Sequence, residues 1–93
     1  MNLVWSAKFT RAVKRVAGRD RKLLSEIERA LTQLAADSKH ASLRTHKLKG
    51  ELAGTWSCSV SYDLRILFDF ARNSETREVE ILLLAVGTHD EVY

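Results

Sequence analysis

Apolar residues recur at spacings of three and four as far as Leu34 and then, beyond a polar stretch from Asp37 to Thr45, at every second position. Side chains return to one face every ~3.6 residues on a helix and at every second residue on a strand, so helices come first in this chain and strands follow. Phe9, Ala12, Val13 and Val16 draw the first helical stripe, with Ser6 placed to cap it and Gly18 suited to a left-handed stop. Asp20 can cap a second helix, whose stripe is Leu23, Leu24, Ile27, Leu31 and Leu34, with Arg21, Lys22, Glu26, Glu28 and Arg29 largely off it. Roughly 16 residues rising ~1.5 Å each span ~24 Å, about the width of a small sheet.

The strands read just as directly. Residues 2–6 make a short apolar candidate. In residues 55–61 Trp56, Cys58 and Val60 alternate with Thr55, Ser57, Ser59 and Ser61; in residues 64–70 Leu64, Ile66, Phe68 and Phe70 alternate with Arg65, Leu67 and Asp69. Only Tyr62 and Asp63 lie between these two runs, which implies a tight hairpin. Residues 73–76 supply a second turn. Residues 78–86 are apolar on both faces, Val79, Ile81, Leu83 and Ala85 against Leu82, Leu84 and Val86, as expected of an interior strand. The order is β-α-α-β-β-β: an α+β fold, a small mostly antiparallel sheet with two N-terminal helices packed on one face and the other face left for function. With 93 residues, no proline and no repeat, a single domain over 1–93 is expected. Such a chain buries a little over ~60% of its unfolded surface, so chemistry belongs in a shallow groove rather than a deep cofactor pocket.

The longest apolar run, Ile81 to Val86, is far short of the ~20 residues of a membrane span, and the N-terminus lacks the apolar stretch of a secretory signal. A cytoplasmic location without membrane association is expected. One cysteine, Cys58, makes no internal disulfide, and it alternates with apolar neighbours as a buried hydrophobe would. Three histidines without Cys-x-x-Cys spacing do not make a zinc site, and neither metal nor cofactor is expected.

The net charge is only +3, but residues 1–50 carry 12 basic and 4 acidic side chains (+8) whereas residues 51–93 carry 3 and 8 (−5). Arg11, Lys14 and Arg15 fall in the first helix. Lys39, Arg44, Lys47 and Lys49, with His40 and His46, crowd residues 38–50, where there is no acid. A polyanion is a plausible partner; a merely solvated helix face explains the same charges about as well.

Period 2 sends Arg65 to the face away from the helices. A surface ion pair with Asp69 is its ordinary explanation; a phosphate clamp, using the planar two-pronged guanidinium, is the functional one. His46 and His89 flank the strands and could act as base and acid in RNA cleavage, since histidine alone titrates near neutrality unperturbed. Asp63 could join them or simply make its turn. Tyr93 is either a frayed end or a ring that stacks on a base.

The run THKLKGELAGTWSCSVSYDLRILFDF followed by ILLLAVGTHDEVY resembles the RelE/ParE superfamily of bacterial toxins, within it the RelE and YafQ-like branch. The resemblance spans the whole chain. Its specific parts are H-x-L-x-G at 46–50, YDLRILF at 62–68 and G-T-H at 87–89. It implies a RelE-like fold and the toxin half of a type II toxin–antitoxin pair: an mRNA endoribonuclease that cuts in the ribosomal A site, without metal, by attack of the RNA 2′-hydroxyl. By the same resemblance His46, Asp63 and His89 correspond to acid/base residues, Arg65 to the arginine that steadies the scissile phosphate, and Tyr93 to a C-terminal aromatic that stacks on substrate. The basic helices and loop would hold ribosomal RNA, a cognate antitoxin would block the site, and the toxin–antitoxin complex would bind its promoter DNA. The chain departs from the family in having Ser59 where YafQ-like toxins place a further histidine, and Trp56 and Cys58 where RelE has lysines. Base and acid are thus unassigned, with Lys47 and Lys49 the nearest lysines. The alternative within the superfamily is a ParE-like inhibitor of DNA gyrase that binds without catalysis; a non-enzymatic RNA- or partner-binding module is the third reading.

Overall fold

The computed structural model describes all 93 residues. Strand β1 (Leu3–Trp5) leads into helices α1 (Ala7–Ala17) and α2 (Arg21–Ala36); β2 (His46–Lys47), β3 (Trp56–Ser59), β4 (Leu64–Arg72) and β5 (Val79–Thr88) follow, and a four-residue helix α3 (His89–Val92) closes the chain. Single 3₁₀ turns at Ala41–Leu43 and Gly50–Leu52 bracket β2. The sheet order is β1-β5-β4-β3-β2, with β1 parallel to β5 and every other pair antiparallel. This is the expected α+β arrangement, extended by two short elements, β2 and α3, that the periodicity does not reveal.

The local signals act as read. The Ser6 hydroxyl oxygen accepts the Phe9 N–H at 3.0 Å and donates to the Leu83 carbonyl at 2.8 Å, so one cap also ties α1 to the sheet. Asp20 caps α2 through the Leu23 N–H at 3.0 Å. Gly18 ends α1 at φ +50°, a conformation that costs a side-chain-bearing residue, and its N–H returns to the Lys14 carbonyl at 2.9 Å. Phe9, Ala12, Val13 and Ala17 from α1 and Ile27, Ala30, Leu31 and Leu34 from α2 meet Cys58, Ile66, Phe68, Ile81, Leu83 and Val86 of the sheet in one core. Each large side chain so buried stabilises the fold by roughly 1.5–3 kcal/mol.

One expectation for β5 fails. The β4–β5 register steps from Leu67↔Ala85 to Phe68↔Leu83, so Leu84 has no residue opposite it. This bulge reverses the alternation halfway along. Ile81, Leu83 and Val86 point to the helices; Leu82, Ala85 and Gly87 share the opposite face with their partners Asp69, Leu67 and Arg65. A run apolar on both faces hides such a slip.

That second face is not wholly open either. A Cβ at Gly87 would lie 3.2 Å from Glu91 Cβ, Glu91 Oε1 and Val92 Cγ1, which places α3 directly over it. Leu67 and Ser57, also on this face, are buried. The hairpin between β3 and β4 is wider than a two-residue turn: the ladder closes with the Val60 N–H on the Leu64 carbonyl at 2.8 Å, leaving Ser61, Tyr62 and Asp63 in the loop.

Candidate functional site

Two rows of paired residues cross the sheet's second face. In one, His46, Ser57, Leu67 and Ala85 stand in register from β2 to β5; in the next, Ser59, Arg65 and Gly87 do. Beyond the second row the β3–β4 hairpin meets the start of α3, and between them opens a cleft of about 480 Å³. Arg44, Ser59, Asp63, Arg65 and His89 are among its walls. Three of the five site residues expected from sequence, Asp63, Arg65 and His89, therefore line one cavity. The other two do not line it. His46 lies a row away, in β2 rather than in a loop. Tyr93 touches the cleft through His89, their rings edge to face with centroids 4.4 Å apart.

Arg65 is half-buried and its Nη1 donates to the Ser61 carbonyl at 3.0 Å and the Leu64 carbonyl at 3.2 Å. The hairpin backbone thus fixes the guanidinium while its Nε and Nη2 donors stay free to grip an anion. The ordinary explanation of Arg65, a pair with Asp69, does not hold: no lysine or arginine lies within 4.0 Å of a carboxylate anywhere in the chain, and the one contact between a basic and an acidic side chain joins His89 Nδ1 to Asp90 at 3.6 Å. The 15 lysines and arginines therefore keep their field unneutralised by close pairing.

His46 Nδ1 lies 2.9 Å from the Arg44 carbonyl. A carbonyl only accepts, so Nδ1 carries the proton and Nε2 of the neutral ring is left as an acceptor, the tautomer a general base requires. Arg44, held at φ +49°, turns from that contact into the cleft wall. Asp63 is exposed and its carboxylate has no partner within the chain; its carbonyl accepts the His89 N–H at 3.1 Å. His46, Asp63 and His89 do not gather into a metal-ligating cluster.

Burial pushes the Cys58 thiol up from 9.0 to about 12, against smaller opposite pulls from Arg65 and the Ile66 backbone, so no thiolate nucleophile is available near neutrality. Lys47 pairs with Trp56 on the helix side and sets its ammonium 6.0 Å from the indole centroid, which takes it away from the Arg65 face. Arg11, Lys14, Arg15, Lys39 and Lys49 are exposed, but only Arg44 of the basic residues named in the first fifty lines the cleft.

Sequence reasoning missed Ser57. It is the one fully buried polar residue of the chain, and its hydroxyl meets the Tyr93 hydroxyl. An alternating serine on an outward face gives no hint of burial, and the Tyr93 hydroxyl that meets it comes from thirty-six positions further along the chain.

Solved structures share this architecture. YafQ from E. coli strain BL21(DE3) superposes with a TM-score of 0.77 at 17% identity, covering 99% of this chain and 97% of that one. A YoeB/ParE toxin from Agrobacterium tumefaciens gives 0.76 at 18% identity over 96% of this chain and 99% of its own, and the E. coli DinJ–YafQ complex gives 0.74 at 18% identity over 99% and 97%. No curated protein sequence matches significantly. The fold is that of the RelE-like toxins. The family model described as "Bacterial toxin of type II toxin-antitoxin system, YafQ" matches residues 1–93, and the chain belongs to that family.

Proposed function

We propose that this toxin is a ribosome-dependent mRNA endoribonuclease that cleaves in the A site by attack of the RNA 2′-hydroxyl on the adjacent phosphate. The observation that carries the reading is Arg65: a guanidinium held by backbone carbonyls, free of any carboxylate, in the same cleft as Asp63 and His89. A cation already held in place stabilises charge that builds on phosphorus without reorganising. His46, with Nε2 free to accept, suits removal of the 2′-hydroxyl proton; His89 or Asp63 suits protonation of the departing 5′-oxygen. Tyr93 offers its ring to a base, and Arg11, Lys14, Arg15, Lys39, Arg44, Lys47 and Lys49 supply a basic surface for ribosomal RNA.

On this reading a cognate antitoxin silences the chain by covering the basic cleft, as relatives are seen bound to antitoxins, and the complex binds its promoter DNA. No helix is long and apolar enough to cross a membrane.

Cleavage of mRNA in a purified translation system, mapped by primer extension with and without ribosomes, tests this for wild type, Arg65→Ala and His89→Ala. Ribosome-dependent cuts in codon register, lost in both variants at unchanged circular dichroism, are expected. A folded wild-type protein that arrests growth without cutting would overturn the reading, and gyrase supercoiling would then be assayed.

A further inference from the structure

Tyr93 is held at both ends. Its N–H donates to the His89 carbonyl at 3.0 Å, and its hydroxyl meets Ser57, thirty-six positions away in sequence. Between those anchors the ring stands edge-on to His89, with an interplanar angle of 85°. A ring tethered only through its backbone samples several rotamers; one tethered also at the hydroxyl keeps a single orientation. Ser57 is suited to be the second anchor. It sits in the middle of β3, beside His46 on one neighbouring strand and Leu67 on the other, and is fully buried, so its own position is fixed by the sheet.

We propose that Ser57 is a positioning residue that acts through Tyr93: its hydroxyl fixes the phenol over the sheet and thereby sets the Tyr93–His89 ring pair at the mouth of the cleft. The proposal rests on the nuclease reading for its catalytic consequence, though not for its geometry. Losing one neutral hydrogen bond costs about a factor of three to ten in an equilibrium. Ser57→Ala and Tyr93→Phe are each expected to lower the single-turnover cleavage rate about three- to tenfold, by misplacing the ring rather than by weakening RNA binding. Because both remove the same bond, the double variant should lose no more than either single one.

The geometry is read independently of activity by carbon NMR of protein labelled at tyrosine Cζ. The chain has two tyrosines, and Tyr62, 98% exposed, serves as the solvent reference. In wild type the Tyr93 signal should stand apart from that of Tyr62, and in Ser57→Ala it should move towards it. An unmoved Tyr93 signal overturns the anchor, and additive rate losses overturn its catalytic role. Should Ser57→Ala fail to fold, Tyr93→Phe, at a surface position, decides the matter: the ring protons of His89 shift if the hydroxyl holds the pair, and an unshifted spectrum overturns it. A wild type that cuts no RNA removes the catalytic consequence, while the tyrosine signals still decide whether Ser57 positions Tyr93.

Discussion

The His89 N–H donates to the Asp63 carbonyl at 3.1 Å and so joins the β3–β4 hairpin to the first residue of α3. The two walls of the cleft are thus held together by main chain, and the Asp63 carboxylate is spared for other work. Asp63→Ala keeps this bond. Its melting should shift by no more than ~0.5 kcal/mol, as for an ordinary surface substitution, while single-turnover cleavage falls by roughly 10²–10⁴ if the carboxylate moves a proton. Unchanged cleavage would return Asp63 to the role of a turn residue.

Arg65→Lys keeps the charge and removes the fork. Lysine cannot both satisfy the Ser61 and Leu64 carbonyls and present free coplanar donors to a phosphate. A loss of roughly 10²–10³ in the rate of cleavage is expected, the range seen when one preorganised donor to transition-state charge is removed. Thermal melts should barely differ from wild type. A lysine variant that cuts at the wild-type rate would show that only net charge matters at this position.

Gly87 lies directly beneath α3. A methyl group there would sit 3.2 Å from Glu91 Cβ and Oε1 and from Val92 Cγ1, so the helix must lift by a few tenths of an ångström. Since α3 has four residues and no fully buried side chain, it should yield rather than destabilise the core. Gly87→Ala is therefore expected to melt within ~1 kcal/mol of wild type and to lose cleavage disproportionately, because His89 and Tyr93 move with the helix. A variant with a large stability loss and normal specific activity would contradict this.

Much of this fold is legible because its signals are local. The stripe from Leu23 to Leu34, the caps at Ser6 and Asp20 and the alternation around Cys58 each occupy a short window, and each is found where expected. The bulge at Leu84 is not legible, since a strand apolar on both faces looks the same before and after the slip. Nor is β2, which at two residues has no period to detect. The start of α3 was within reach: Thr88 and Glu91 have the three-residue spacing of a capping box, a signal the G-T-H motif overshadows. Of the candidate site, Arg65 follows from period 2, and the joining of Asp63 to His89 and of Ser57 to Tyr93 depends on tertiary closure that no window contains.

Cys58 should be inert. With its thiol pushed up to about 12 from 9.0, the thiolate fraction at pH 8 is roughly a thousandfold below that of a free cysteine, and the side chain is fully buried besides. Titration with a disulfide reagent at pH 8 should label the native protein only through unfolding and the denatured protein at once. Rapid native labelling would show that the core opens around β3.

The capping box of α3 makes the C-terminal end sensitive to acid. Thr88 donates its N–H to Glu91 Oε1 at 2.8 Å and accepts the Glu91 N–H at 3.3 Å. Backbone and hydroxyl bonds from Thr88 hold the Glu91 carboxyl below its ordinary 4.5, with a further pull from Arg15. A carboxyl whose folded value is depressed contributes its stability above the unfolded value and loses it as pH falls through the folded one. The cap is therefore complete above pH 4.5 and is lost progressively below it. Glu91→Gln keeps an acceptor that does not titrate, so the difference between the two proteins isolates this group from every other acid. As pH falls below 4.5 the Tyr93 Cζ signal of wild type should move towards that of Tyr62, while in Glu91→Gln it should move less. Parallel shifts in the two proteins would show that some other group releases α3.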